Sequence, residues 1–121
     1  MNNIDNVLGI DPSGSRCGLA IVNEDNLLWH SVVHFPANVN PLTRVAEAHR
    51  LLVLAISDAW ANHGFSSICI EDATVFAGQT FRGKTNRATN LGALVGFGYA
   101  KALVLSAVAQ VTGHTKMSCR E

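Results

Sequence analysis

The chain has 121 residues, 48% hydrophobic and 15% charged, a size that supports one core-bearing domain and a composition that excludes a disordered chain. A formal net charge of zero taken alone argues against a nucleic-acid partner. The charge is unevenly spread, however. Residues 1–78 hold three basic and eight acidic side chains, whereas residues 79–121 hold six basic ones (Arg82, Lys84, Arg87, Lys101, Lys116 and Arg120) against Glu121 alone. A chain divided into −5 and +5 parts points to an anionic partner for the second part.

In chain order, residues 7–11 read as a short buried strand closed by Pro and Gly, and residues 17–23 as a second strand. Residues 24–26 form a turn and residues 27–35 a partly alternating third strand, so the three should make an antiparallel meander. Asn40 followed by Pro41 marks a helix start. Leu42, Val45, Ala46, His49, Leu52, Val53, Ile56 and Trp60 are expected on its apolar face, with Gly64 as the stop. Residues 66–71 read as a fourth strand, parallel to the first because a helix intervenes. Residues 73–89 read as a loop, followed by a long helix from about residue 90 to 111 that breaks at Gly113-His114. Residues 116–121 could begin a fifth strand. The expected fold class is α/β, a mixed five-stranded sheet in the order β-β-β-α-β-α-β with helices on its faces.

Residues 91–111 are apolar enough to suggest a membrane span, and they carry Gly92-x-x-x-Gly96. Lys101 at the centre argues against a span, since a charge there costs about 2.5–3.5 kcal/mol. A buried helix is expected instead, with Gly92, Gly96 and Ala100 as a close-packing stripe against the sheet, or secondarily against a second copy. Cys17, Cys69 and Cys119 show no CxxC spacing. Cys17 and Cys69 lie in apolar strands and are expected to be buried, reduced thiols of a cytosolic protein. The polar N-terminus lacks the pattern of a signal peptide. His30 and His34 share a strand face without a third ligand, and His49 reads as a hydrogen-bonded core residue, so zinc is not expected.

The chemistry lies in the acids. Asp11 ends the first strand and Glu71 the fourth, and in adjacent parallel strands those ends meet at one sheet edge. Two carboxylates held close repel unless protonated or bridged by a cation, and hard oxygen ligands suit Mg²⁺ or Mn²⁺. Paired ions of this kind serve phosphoryl transfer. Taken alone, Asp11 reads better as an Asx-turn residue, and Glu71 can be read as an ordinary strand-end acid.

Ile10-Asp11-Pro12 before a Gly-containing turn, Ile70-Glu71 after a helix, Val75-Phe76, and Leu91-Gly92-x-x-x-Gly96 together resemble the RuvC-like Holliday-junction resolvases of the ribonuclease H-like superfamily. The resemblance spans about residues 7–107. It implies a metal-dependent, homodimeric endonuclease that nicks opposed strands of a four-way DNA junction and leaves a 5′-phosphate, in a bacterial or phage-infected cytoplasm. It further implies that Asp11 and Glu71 are metal ligands and that Phe76 or Phe81 meets junction DNA. Two departures stand out. Ser13 precedes Gly14 where the family has Gly directly after Asp-Pro, and the family's further acids on a helix after the fifth strand have no counterpart before Glu121. Residues 1–121 are thus expected to form one ribonuclease H-like domain lacking that catalytic helix.

Residues 74–87 (TVFAGQTFRGKTNR) place Phe76, Gln79 and Phe81 among Arg82, Lys84 and Arg87. Basic groups neutralise phosphates and aromatic rings stack on exposed bases, so this loop is the expected DNA-binding element. Two rival functions remain. One is a non-catalytic DNA-binding form of the same fold. The other is an ATPase of the actin or sugar-kinase class, for which 121 residues supply neither a second phosphate loop nor an adenosine site.

Overall fold

Alternation of side chains along the first three strands already divides a sheet into a greasy face and a bare one. In the computed structural model, which describes residues 5–71, 87–114 and 117–120 and the side chains of all these except 87–97, that division organises the fold. Strands β1 (Val7–Pro12), β2 (Arg16–Asn23) and β3 (Asn26–His34) form the meander, helix α1 (Pro41–Asn62) crosses over to β4 (Ser67–Ile70), and helix α2 (Arg87–Thr112) leads to β5 (Ser118–Arg120). The sheet order is β3-β2-β1-β4-β5. β1 pairs antiparallel with β2 and parallel with β4, and β4 is parallel to β5, as helical crossovers require.

Leu8 and Ile10 of β1, Cys17, Leu19 and Ile21 of β2, Val33 of β3 and Ile68 and Ile70 of β4 point to one face. Both described helices cover that face, α1 through Ala48, Leu52, Ile56 and Ala59, and α2 through Ala100, Leu103, Val104, Ala107 and Val108. The expected packing of Ala100 into the core is borne out; the side of α2 at Gly92 and Gly96 lies outside the described side chains. Among the described residues no helix is long and apolar enough to cross a membrane.

Local signals explain the helix ends. Asn40 caps α1, its Oδ1 accepting from the Thr43 amide at 2.8 Å, with Pro41 in the first turn. Gly64 and Gly113 take left-handed φ values of 67° and 70°, and their amides close onto the last-turn carbonyls Trp60 O and Ala109 O. A polar knot stabilises the far end of the sheet. Buried Asn6 donates from Nδ2 to the carbonyls of His63 and Gly64 at 3.1 Å each, and its Oδ1 accepts from Asn23 at 2.8 Å.

Four expectations change. Leu42, Val45 and Ala46 are exposed, because no residue in the first two turns of α1 is buried and packing begins at Ala48. Cys69 is exposed, because it pairs with Gly9 on the bare face of the sheet, whereas Cys17 is buried as expected. Helix α2 starts at Arg87, three residues before Asn90: no Gly or Pro interrupts residues 87–91, and Arg87 and Ala88 favour helix enough to carry Thr89 and Asn90. His49 is half-buried rather than core, with its Nε2 3.4 Å from Ser106 Oγ.

Candidate functional site

The bare face is read most simply in rows across the strands. One row runs Val32–Gly18–Asp11, the next His30–Ala20–Gly9–Cys69. Since Ile10 pairs with Ile70, the residue after each strand partner also meets: the Glu71 amide donates to the Ile10 carbonyl at 3.1 Å and brings Glu71 alongside Asp11. The sequence places both acids at parallel strand ends, and the ladder register makes them neighbours.

Their carboxyl groups stand side by side at the edge of one trough, and both are exposed. Hydrogen bonding to Asp11 and then its negative charge raise the Glu71 pKa above the ordinary 4.5, so the pair favours a shared proton or a cation between the two groups. Asp11 also contributes, after burial, to the Cys17 thiol, which is pushed up to about 12 and is correspondingly inert.

What surrounds the acids is small. Gly9, Gly18 and Ala20 floor an open trough of 790 Å³ that Asp11, Glu71, His30, Val32 and Cys69 edge. A Cβ on Gly18 would sit 3.6 Å from the Asp11 Cβ, an ordinary contact, so the glycine is not sterically required. Its effect is to keep the approach to Asp11 low.

The turn after Asp11 is fixed from several sides. Ser13 N and Oγ both donate to the Arg16 carbonyl, at 2.8 and 3.0 Å, and Ser13 Oγ accepts from the Arg16 amide at 3.2 Å. Arg44 of α1 donates from Nη2 to the Gly14 carbonyl at 2.7 Å, and the Phe35 amide donates to the Ser15 carbonyl at 2.9 Å. The shift of Gly by one residue relative to the family motif is thus accommodated by a serine-locked turn. The contribution of Arg44 had no sequence signal, since it depends on how α1 lies over the meander.

Of the other residues singled out in the sequence, Phe76, Gln79, Phe81, Arg82 and Lys84 lie outside the described residues. Arg87 opens α2, and its side chain also lies outside them. Among the described residues no group of three His, Cys, Asp or Glu side chains stands together in a metal-holding arrangement, so Asp11 and Glu71 form a pair there rather than a triad.

No family model and no curated protein matches the sequence. Solved structures do. Thermus thermophilus RuvC in complex with a Holliday junction substrate superposes with a TM-score of 0.56 and 20% identity, covering 88% of this chain and 59% of that one. A second Thermus thermophilus RuvC structure gives 0.55 and 20%, covering 88% and 58%. The fold is that of RuvC. The mixed sheet is therefore the ribonuclease H-like one expected from the sequence, and the chain spans less than two thirds of the length of either RuvC structure.

Proposed function

We propose that this protein is a metal-dependent, structure-selective DNA endonuclease that resolves four-way junctions by phosphodiester hydrolysis, acting as a homodimer in the cytoplasm of a bacterial or phage-infected cell. The observation that carries this reading is the placement of Asp11 and Glu71 side by side, by the β1–β4 register, on the open face of a RuvC fold. The donor set fits Mg²⁺ or Mn²⁺: four carboxylate oxygens, exposed and mutually repelling, at the edge of a trough floored by Gly and Ala. A bound divalent cation supplies neutralisation of phosphate charge and a water of lowered pKa.

The chain's own groups do the rest. Asp11 and Glu71 hold the cation, and the rigid 13–16 turn keeps the Asp11 carboxylate from swinging away. The low floor at Gly18 lets a phosphate reach the acids. Phe76 and Phe81 stack on bases opened at the junction, while Gln79, Arg82, Lys84 and Arg87 contact the backbone. The thermophilic RuvC in the first comparison was captured with a Holliday junction substrate, which favours branched DNA as the partner here.

A second reading rests on the pair standing without a third acid among the described residues: a non-catalytic protein that binds junctions. A labelled synthetic four-way junction, with a linear duplex of the same sequence as control, separates the two. In Mg²⁺ and in Mn²⁺, paired nicks confined to the junction and lost in Asp11→Asn are the expected result. A junction bound but left intact selects the second reading, and neither binding nor cutting refutes both.

A further inference from the structure

We propose that Arg16 and His34, facing each other across β2 and β3, form a phosphate-binding subsite that seats the DNA backbone next to the Asp11–Glu71 pair; this deepens the reading of the site given above. The two residues are register partners on the bare face, one row beyond Gly18 and Val32, and both are exposed. Together with Asp11, Ser13, Ser15 and Phe35 they line a hollow of 740 Å³. That hollow shares Asp11, Gly18 and Val32 with the trough at the acids, so the two are one continuous surface.

Four features favour an anion there. Arg16 lies two residues along β2 from the position opposite Asp11, about 7 Å at strand rise, a step comparable with that between successive phosphates of an extended strand. Among the described residues no carboxylate pairs with its guanidinium, the recorded ion pair being Arg50 with Glu47. Its fork of donors matches phosphate geometry, and the His34 imidazole offers a ring N–H in either tautomer. The backbone beneath is already set, because the Ser13, Arg44 and Phe35 hydrogen bonds fix the turn before any ligand arrives. A basic side chain directly across from a histidine stabilises a strand pair poorly, so stability alone does not account for the pairing.

The test is junction binding in EDTA, measured over a range of salt, for the wild type, Arg16→Ala, Arg16→Lys, His34→Ala and Arg50→Ala. Arg50 is exposed on α1, which packs on the opposite face of the sheet, and serves as the charge control. Loss of one phosphate contact is expected to weaken binding about tenfold for Arg16→Ala and to make the slope of log K against log salt shallower by about 1. Arg16→Lys should keep the slope, His34→Ala should weaken binding less, and Arg50→Ala should match the wild type. If the wild type binds and Arg16→Ala has the same affinity and slope, the subsite is refuted while the resolvase reading stands. An equal loss in Arg50→Ala also refutes it, since net charge then explains the effect. A wild type that binds no junction at all overturns both.

Discussion

Replacing Asp11 by Asn should make the metal-free protein more stable, although it removes a residue of the proposed site. Asp11 and Glu71 are in contact and exposed, so their repulsion is set by a water-like dielectric: about 1 kcal/mol for unit charges about 4 Å apart, and about half that once salt and side-chain motion are counted. For 121 residues, an unfolding entropy of about 2.1 cal/mol/K per residue gives about 0.25 kcal/mol/K, so the gain corresponds to about 2–4 °C in Tm. The effect has a definite pH sign. Glu71 has its pKa raised on folding, so the folded chain binds its proton more tightly than the unfolded one. The repulsive penalty is therefore absent below the ordinary value of 4.5 and grows as pH rises through the raised folded value. Thermal melts of both proteins in EDTA at pH 4 and pH 7.5 measure it, with the difference expected at the higher pH only. Adding Mg²⁺ or Mn²⁺ should reverse the order, raising the wild-type Tm by linkage and leaving Asp11→Asn unmoved. A variant that melts at or below the wild type at pH 7.5 in EDTA would sink the electrostatic account of the pair.

The core and the polar knot give further expectations. Leu52 is fully buried, so Leu52→Ala should cost about 2–5 kcal/mol in a urea melt, whereas Leu42→Ala, at a position 80% exposed, should change stability by less than about 0.5 kcal/mol. Equal losses would restore the helix face read from the sequence. Asn6→Ala removes both donors to the α1–β4 turn and the acceptor for Asn23, for about 1–3 kcal/mol; an unchanged urea midpoint would show the knot to be dispensable. Of the three cysteines, Cys69 and Cys119 should react with a thiol reagent in the native protein and Cys17 only after denaturation. Three fast thiols before denaturation would contradict the burial of Cys17.

Much of the fold was legible because its signals are local. Asn40-Pro41 and Gly64 bound one helix by capping chemistry, and the short turns of the meander leave the first three strands little choice but to pair antiparallel. The carboxylate contact was legible for a different reason: a helix between two strands implies parallel pairing, and parallel pairing brings like ends together. Where the reading failed, the deciding fact was tertiary. A short apolar strand such as 67–70 does not reveal whether both its faces are covered, and Cys69 falls on the side that the described helices leave bare. Likewise Leu42 and Val45 keep helical spacing with Ala48 and Leu52, and only the position of the sheet under α1 decides that packing begins a turn or two later.

The same division of the sheet explains why the acids can tolerate one another. On the covered face the fully enclosed positions of β1, β2 and β4 are mostly branched aliphatics and the thiol Cys17, and a carboxylate there would be desolvated at large cost. On the bare face the central positions shrink to Gly9, Gly18 and Ala20, which keeps water, and any approaching anion, within reach of Asp11 and Glu71. Two charges in contact can then persist in the folded state at a cost of about 1 kcal/mol or less, small against the burial of a single Leu8 or Ile70 on the other side. One face of the sheet supplies the stability that lets the other hold a repelling pair of carboxylates at its bare edge.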